Sequence, residues 1–138
     1  MKCTDSCERI LLAEDDPSSQ MVAIAMLKRL GYDADVANNG LEVLRALRRQ
    51  NYALVLMDIV MPRMDGIATT QEIRRRFPAS EMPKIIAFTA YVHPDVRKKC
   101  LEAGMTDYIS KPVSLNELEA ILVKYPVEPT QRQVIDSY

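Results

Sequence analysis

Asp58 closes the apolar run Ala53-Leu54-Val55-Leu56-Met57 and opens the segment Ile59-Val60-Met61-Pro62-Arg63-Met64-Asp65-Gly66. A short apolar run closed by Pro and Gly reads as a buried strand feeding a loop. Three other short runs end in residues that can do chemistry. Ile10 to Ala13 ends at Glu14-Asp15, Lys84 to Phe88 at Thr89, and Asp107 to Ile109 at Ser110-Lys111-Pro112. If these strands run parallel, their ends share one sheet edge, where open α/β sheets place ligands. Carboxylates, a hydroxyl and an ammonium then converge. Crowded carboxylates repel one another, and a divalent cation relieves that repulsion. An all-oxygen set on an open edge suits Mg²⁺ or Mn²⁺. An aspartate in that company can act as a nucleophile toward a phosphoryl group. The cation and Lys111 would offset charge on the phosphoryl oxygens, and Thr89 would donate one hydrogen bond.

Taken singly, each residue has an ordinary explanation. A strand-end aspartate is commonly a turn or N-cap residue. Glu14-Asp15-Asp16 could be a solvated charge run, Thr89 a loop hydroxyl and Lys111 a surface lysine. The conjunction is what resists this explanation, because four strand ends carry complementary groups at the same edge.

The elements that would position these groups alternate along the chain. After the first strand, Asp16-Pro17 supplies an N-cap and a first-turn proline. The helix carries Val22, Ala25, Met26 and Arg29 at helical spacing and stops near Gly31. Asp33 to Ala37 is a second strand. Asn39 and Glu42 resemble a capping box, followed by Leu41, Leu44 and Leu47 on one face. The third strand is Leu54 to Asp58. A third helix covers about Ile67 to Phe77, with Ile67, Thr70, Ile73 and Phe77 inward. Lys84 to Phe88 is the fourth strand. Pro94 opens a helix with Val96, Cys100 and Ala103 on one face, ended by Gly104. Asp107 to Ile109 is the fifth strand. Ser114 and Glu117 form a capping box for a last helix striped by Leu115, Leu118, Ile121 and Leu122. Strands alternating with helices of this length imply α/β architecture, a parallel five-stranded sheet covered on both faces. Residues 126–138 lack a periodic apolar face and read as a tail or linker stub.

The 138 residues fit one domain, and 48% apolar content is enough for a core. With 18 basic and 19 acidic residues the net charge is −1, which makes no electrostatic case for nucleic acid or membrane. No apolar run approaches the length of a membrane span, and Met1 to Ser6 lacks the apolar core of a signal peptide, so a cytoplasmic location is expected. The three cysteines form neither a disulfide framework nor a zinc site. Cys100 reads as core, and Cys3 and Cys7 as incidental tail residues. His93, the single histidine, has no ligand partners at metal spacing and reads as a loop residue.

The motifs ILLAEDDP (10–17), VLMDIVMPRMDG (55–66), IIAFTAY (85–91) and GMTDYISKP (104–112) resemble, in this order, the receiver domain of two-component response regulators. The resemblance covers about residues 8–124, leaving 1–7 as an N-terminal tail and 125–138 as a C-terminal tail or linker stub. It implies a flavodoxin-like three-layer (βα)₅ sandwich of strand order 2-1-3-4-5. It implies Asp58 as phosphoacceptor. Asp15 and Asp58, with the Val60 carbonyl, would bind Mg²⁺, and Glu14 would act through water. Thr89 and Tyr108 match the switch pair, and Lys111 the lysine on the phosphoryl group, with Lys111-Pro112 often cis. The acidic pair is Glu-Asp rather than the commoner Asp-Asp. The frame Glu14-Asp15 is preferred because Asp16-Pro17 looks like a helix cap. Val60 and Tyr91 match the positions that tune access of the hydrolytic water, and neither can position water by a carboxylate or amide.

The expected function is a phosphoacceptor module of a phosphorelay rather than an enzyme with a metabolic substrate. Its phosphodonor would be a histidine kinase or a histidine phosphotransfer domain. Phosphorylation would reshape the helix 4–strand 5–helix 5 face toward an output partner or a homodimer. The segments around Asp16 and Lys111 look like receivers attached to hybrid histidine kinases. Two alternatives compete: a phosphohydrolase with an Asp nucleophile, and a degenerate receiver serving only as an interaction surface. Hydrolases of the first kind usually have a second acid two residues on, where this chain has Val60. The complete acidic, Thr and Lys set argues against the second. A nucleotide- or flavin-binding module lacks its glycine motifs.

Overall fold

The computed structural model describes residues 9–90 and 93–127. The elements run β1 (Ile10–Ala13), α1 (Pro17–Arg29), β2 (Ala34–Ala37), α2 (Gly40–Arg49), β3 (Leu54–Met57), α3 (Gly66–Arg76), β4 (Lys84–Thr89), α4 (Pro94–Ala103), β5 (Asp107–Ser110) and α5 (Leu115–Lys124). All strands pair in parallel, in the order β2-β1-β3-β4-β5. Fold class and strand order are those expected from the sequence, and strand ends differ from the expectation by a residue.

Side chains alternate across the pleat, and the core divides accordingly. Leu11, Val55, Met57 and Ile85 face α2, α3 and α4, where they meet Val43, Leu44, Leu47, Ile73 and Cys100. Ile10, Leu12, Leu54, Leu56 and Ile86 face α1 and α5, where they meet Ala23, Leu27, Leu118, Ile121 and Leu122. β3 lies between β1 and β4, and its four residues are fully buried. The element that presents Asp58 is therefore held on both edges and both faces.

Helix starts follow local side-chain chemistry. Asp16 accepts the Ser19 amide at 2.8 Å and Asp65 that of Ala68 at 2.7 Å. His93, expected only as a loop residue, uses Nδ1 to accept the Asp95 amide at 3.1 Å. The Ser114–Glu117 box is complete, at 3.1 and 3.0 Å. The box expected at Asn39 is only half formed: Asn39 accepts the Glu42 amide, but the Glu42 carboxylate takes the amide of Asn38 instead. At the end of α4, Gly104 takes φ +116°. There the Arg74 guanidinium, from α3, donates to the carbonyls of Glu102 and Ala103 at 3.2 and 3.1 Å.

Two helix faces differ from the expectation. α1 buries Ala23 and Leu27, while Val22 is 52% exposed and Ala25 and Arg29 face solvent. Met21 to Leu27 are all apolar, so spacing within that run does not select a face. In α2, Leu41 is exposed and Val43, Ala46 and Leu47 are buried with Leu44. The segment expected as a C-terminal tail is not all free of the core: Val127 is buried among the residues facing α1 and α5. The Tyr125 hydroxyl donates to Asp107 at 2.8 Å. Cys100 is buried and free, as expected. Cys3, Cys7 and residues 128–138 lie outside the described residues. Among the described residues no helix is long and apolar enough to cross a membrane.

Candidate phosphoacceptor site

β1 and β3 are neighbours with Ala13 in register with Met57, so the residues that follow them leave the sheet side by side. Asp58 still donates its amide to the Ala13 carbonyl at 3.0 Å, and Glu14 donates to Ala37 at 3.0 Å. The strand ladder thus reaches one residue beyond each strand and fixes both backbones. Glu14, Asp15 and Asp58 each contribute a carboxylate oxygen within 4.8 Å of the others. Glu14 is buried to 1% exposure, whereas Asp15 faces solvent. Asp16 stands apart as the cap of α1, which is the frame preferred from the sequence.

Lys111 enters from the loop after β5. Its amide donates to the Thr89 carbonyl at 2.8 Å, and the peptide bond to Pro112 is cis. Its ammonium donates to Asp58 Oδ2 at 3.1 Å and also bridges to Glu14 Oε1. The Phe88 ring lies beneath that ammonium, 5.2 Å away at its centroid, a cation–π placement. Burial pulls the Lys111 pKa down, but the hydrogen bond to Glu14 and the charge of Asp58 outweigh it, so the ammonium is held above its usual value. Burial pushes the Glu14 carboxyl up; hydrogen bonds from Lys111 and the Asp16 amide oppose that, and the Asp58 charge adds to it.

Asp58 is thus addressed at both oxygens. Oδ2 faces Lys111, and Oδ1 accepts the Val60 amide at 3.3 Å. The Val60 side chain is 52% exposed at the rim. Three carboxylates face one ammonium here, an excess of acidic groups that a divalent cation would offset. The all-oxygen donor set fits Mg²⁺.

Thr89 ends β4 and is buried. Tyr108, in register with Ala87, packs against the core beside α4. Its hydroxyl is buried and has no hydrogen-bond partner among the described residues. Desolvation raises the Tyr108 pKa, Cys100 adds to the rise, and Arg97 opposes it. Tyr91 lies outside the described residues.

Sequence reasoning passed over several residues that build this site. Gln20 on α1 donates to the Glu14 carbonyl, and Phe88 backs Lys111. Gly66 donates its amide to the Ile59 carbonyl at 2.8 Å and lies so close to Asp58 that a Cβ there would be 2.3 Å from its carbonyl oxygen. Only the last had a local signal, the glycine that ends the Asp58 loop.

Residues 10–123 match the family model for the response regulator receiver domain. The chain belongs to that family. This receiver domain is 42% identical over 125 residues to histidine protein kinase 1 of Candida albicans, matching 84% of this chain and 5% of that protein. It is 38% identical over 116 residues to the aerobic respiration control sensor protein ArcB of Escherichia coli, matching 84% of this chain and 15% of that protein. It thus corresponds to a small part of the length of these relatives. Among solved structures it resembles the receiver domain of the sensor histidine kinase PA1611 of Pseudomonas aeruginosa, with TM-score 0.78 and 41% identity over 86% of this chain and 96% of that one. That structure has a magnesium ion coordinated in its active site cleft. It also resembles the receiver domain of the Saccharomyces cerevisiae response regulator Ssk1, with TM-score 0.77 and 26% identity over 86% of this chain and 88% of that one. That domain was crystallised with the histidine phosphotransfer protein Ypd1. The chain is a receiver domain of two-component or phosphorelay signalling.

Proposed function

We propose that Asp58 accepts a phosphoryl group from a phosphohistidine on a histidine kinase or histidine phosphotransfer domain. The observation that carries this reading is Asp58 Oδ2 on the Lys111 ammonium, beside the Glu14–Asp15 pair. A carboxylate oxygen of Asp58 attacks phosphorus and the P–N bond breaks. The bonding pair returns to the imidazole, and an acyl phosphate forms on Asp58. Asp15, Asp58 and the Val60 carbonyl would hold Mg²⁺, with Glu14 acting through water. The ion would supply charge neutralisation of the phosphoryl oxygens. Lys111 then exchanges Asp58 Oδ2 for a phosphoryl oxygen, and Thr89 supplies a hydroxyl.

Surface character supports a protein phosphodonor. Met21, Val22 and Val60 are exposed apolar residues. Val22 also lines a recess of about 410 Å³ with Phe88, Lys111, Pro112 and Val113, between α1 and the β5–α5 loop.

The readout would pass through Tyr108. The Tyr108 hydroxyl is buried and unpaired among the described residues, and burying a hydroxyl in that way costs about 1–3 kcal/mol. The inward ring position therefore carries a penalty that an outward, solvated one escapes. A small bias from Thr89 engaging the phosphoryl group can then shift the population between them and alter the α4–β5–α5 face.

The test is direct. Incubation with Mg²⁺ and phosphoramidate should add one phosphoryl group to the wild type and none to Asp58→Asn, read by intact mass. Phosphorylation that survives Asp58→Asn, or that fails in the wild type with both small-molecule and phosphohistidine donors, would remove the assignment.

A further inference from the structure

We propose that Gly40, the first residue of α2, is a positioning residue for the Asp58 site: the missing side chain lets the helix end seat the β3–α3 loop. The proposal rests on reading Asp58 as the metal-dependent phosphoacceptor. Gly40 belongs to neither β3 nor α3, and it touches the loop at its far end. A Cβ at residue 40 would lie 2.0 Å from Thr69 Oγ1, 2.7 Å from the Met64 carbonyl oxygen and 2.8 Å from Met64 Cβ. Real Cβ atoms do not approach so closely, so any side chain here forces a displacement.

Which partner moves follows from the packing. α2 has no room to retreat, because Val43, Leu44, Ala46 and Leu47 are buried and the Asn39 cap is itself only 8% exposed. Thr69 is fully buried, with its hydroxyl on the Asp65 carbonyl at 2.6 Å. The loop is the softer side: Pro62, Arg63 and Asp65 are exposed and Met64 is half-buried. Yet the loop is short and closed. The Gly66 amide holds the Ile59 carbonyl at 2.8 Å, Met64 donates to Pro62 at 2.7 Å, and Ile59 and Met61 are anchored in the core. A push at Met64 therefore travels to the stretch that carries Val60. Its amide touches Asp58 Oδ1, and its carbonyl is the expected backbone ligand. Groups bonded directly to metal ligands are typically worth about 10–100-fold in affinity, and Gly40 acts one step further out, through Met64 and the loop.

The experiment measures Mn²⁺ affinity and thermal stability on the same preparations of the whole chain. Gly40→Ala should weaken Mn²⁺ binding several-fold, toward about tenfold, while the protein stays folded. Leu44→Ala, which opens the core beneath the same helix, should lower Tm by as much or more yet leave Mn²⁺ affinity within about twofold of wild type. Adding Thr69→Ala to Gly40→Ala removes the nearest obstructing atom and should recover part of the lost affinity. If Gly40→Ala binds Mn²⁺ like the wild type, or Leu44→Ala loses as much, Gly40 is merely structural and the proposal falls. A wild type that binds no Mn²⁺ would instead overturn the underlying reading of the site.

Discussion

Val60 stands two residues beyond Asp58, with its amide on the Asp58 carboxylate and its isopropyl group half in solvent. Hydrolysis of an acyl phosphate needs a water in line with the P–O bond. Positioning by a side-chain donor or acceptor supplies part of that alignment. A valine there would shield the approach and can offer no side-chain hydrogen bond, so the phosphorylated form should be long-lived. Val60→Asn places an amide at the rim and is expected to shorten the lifetime several-fold. Decay of the phosphorylated species after removal of the donor measures it, and an unchanged rate would show that this position does not set the lifetime. At this scale the sequence was most legible. Carboxylates, threonine and lysine announce themselves by type, and strand-end positions place them. Gly40 and Phe88 were not legible, because a glycine that matters for what it lacks, or a ring beneath an ammonium, depends on a neighbour distant in the chain.

Helices in this fold begin at the site edge, so their caps are part of its architecture. The Ser114–Glu117 box starts α5 directly after the Lys111-Pro112-Val113 loop. Ser114→Ala should cost about 1 kcal/mol, within the range of about 0.5–2 for losing such a cap. A urea titration measures this, and a loss of twice that range would mean that Ser114 does more than cap. Caps are readable because their chemistry is local: a side chain accepts an amide three residues on. Helix faces are less so. α1 presents an unbroken apolar run from Met21 to Leu27, and only docking on the sheet decides that Ala23 and Leu27 go inward. The Glu42 carboxylate likewise chose between two adjacent amides by geometry that no spacing rule contains. Arg74 capping α4 from α3 is a contact between elements 28 residues apart, beyond any local pattern.

For the whole molecule, the alternation of short strands and helices was enough to imply the parallel sheet. Strand order came from the resemblance, and with that order Asp58 belongs to the central strand. Glu14 and Asp15 leave β1, Asp58 leaves β3, and Lys111 follows β5, 97 residues from Glu14. No short segment of the unfolded chain contains these groups together. A divalent cation held by these groups together would therefore bind the folded state in preference to the unfolded one, and by mass action would stabilise it. At a concentration 100 times its dissociation constant, Mg²⁺ should add about 2.7 kcal/mol to unfolding. Tm should climb with the logarithm of Mg²⁺ concentration, and much less in Asp58→Asn. Equal melting in EDTA and in saturating Mg²⁺ would contradict it. A reservoir of free magnesium would then set not only whether Asp58 is ready to react, but also how long the polypeptide escapes proteolysis.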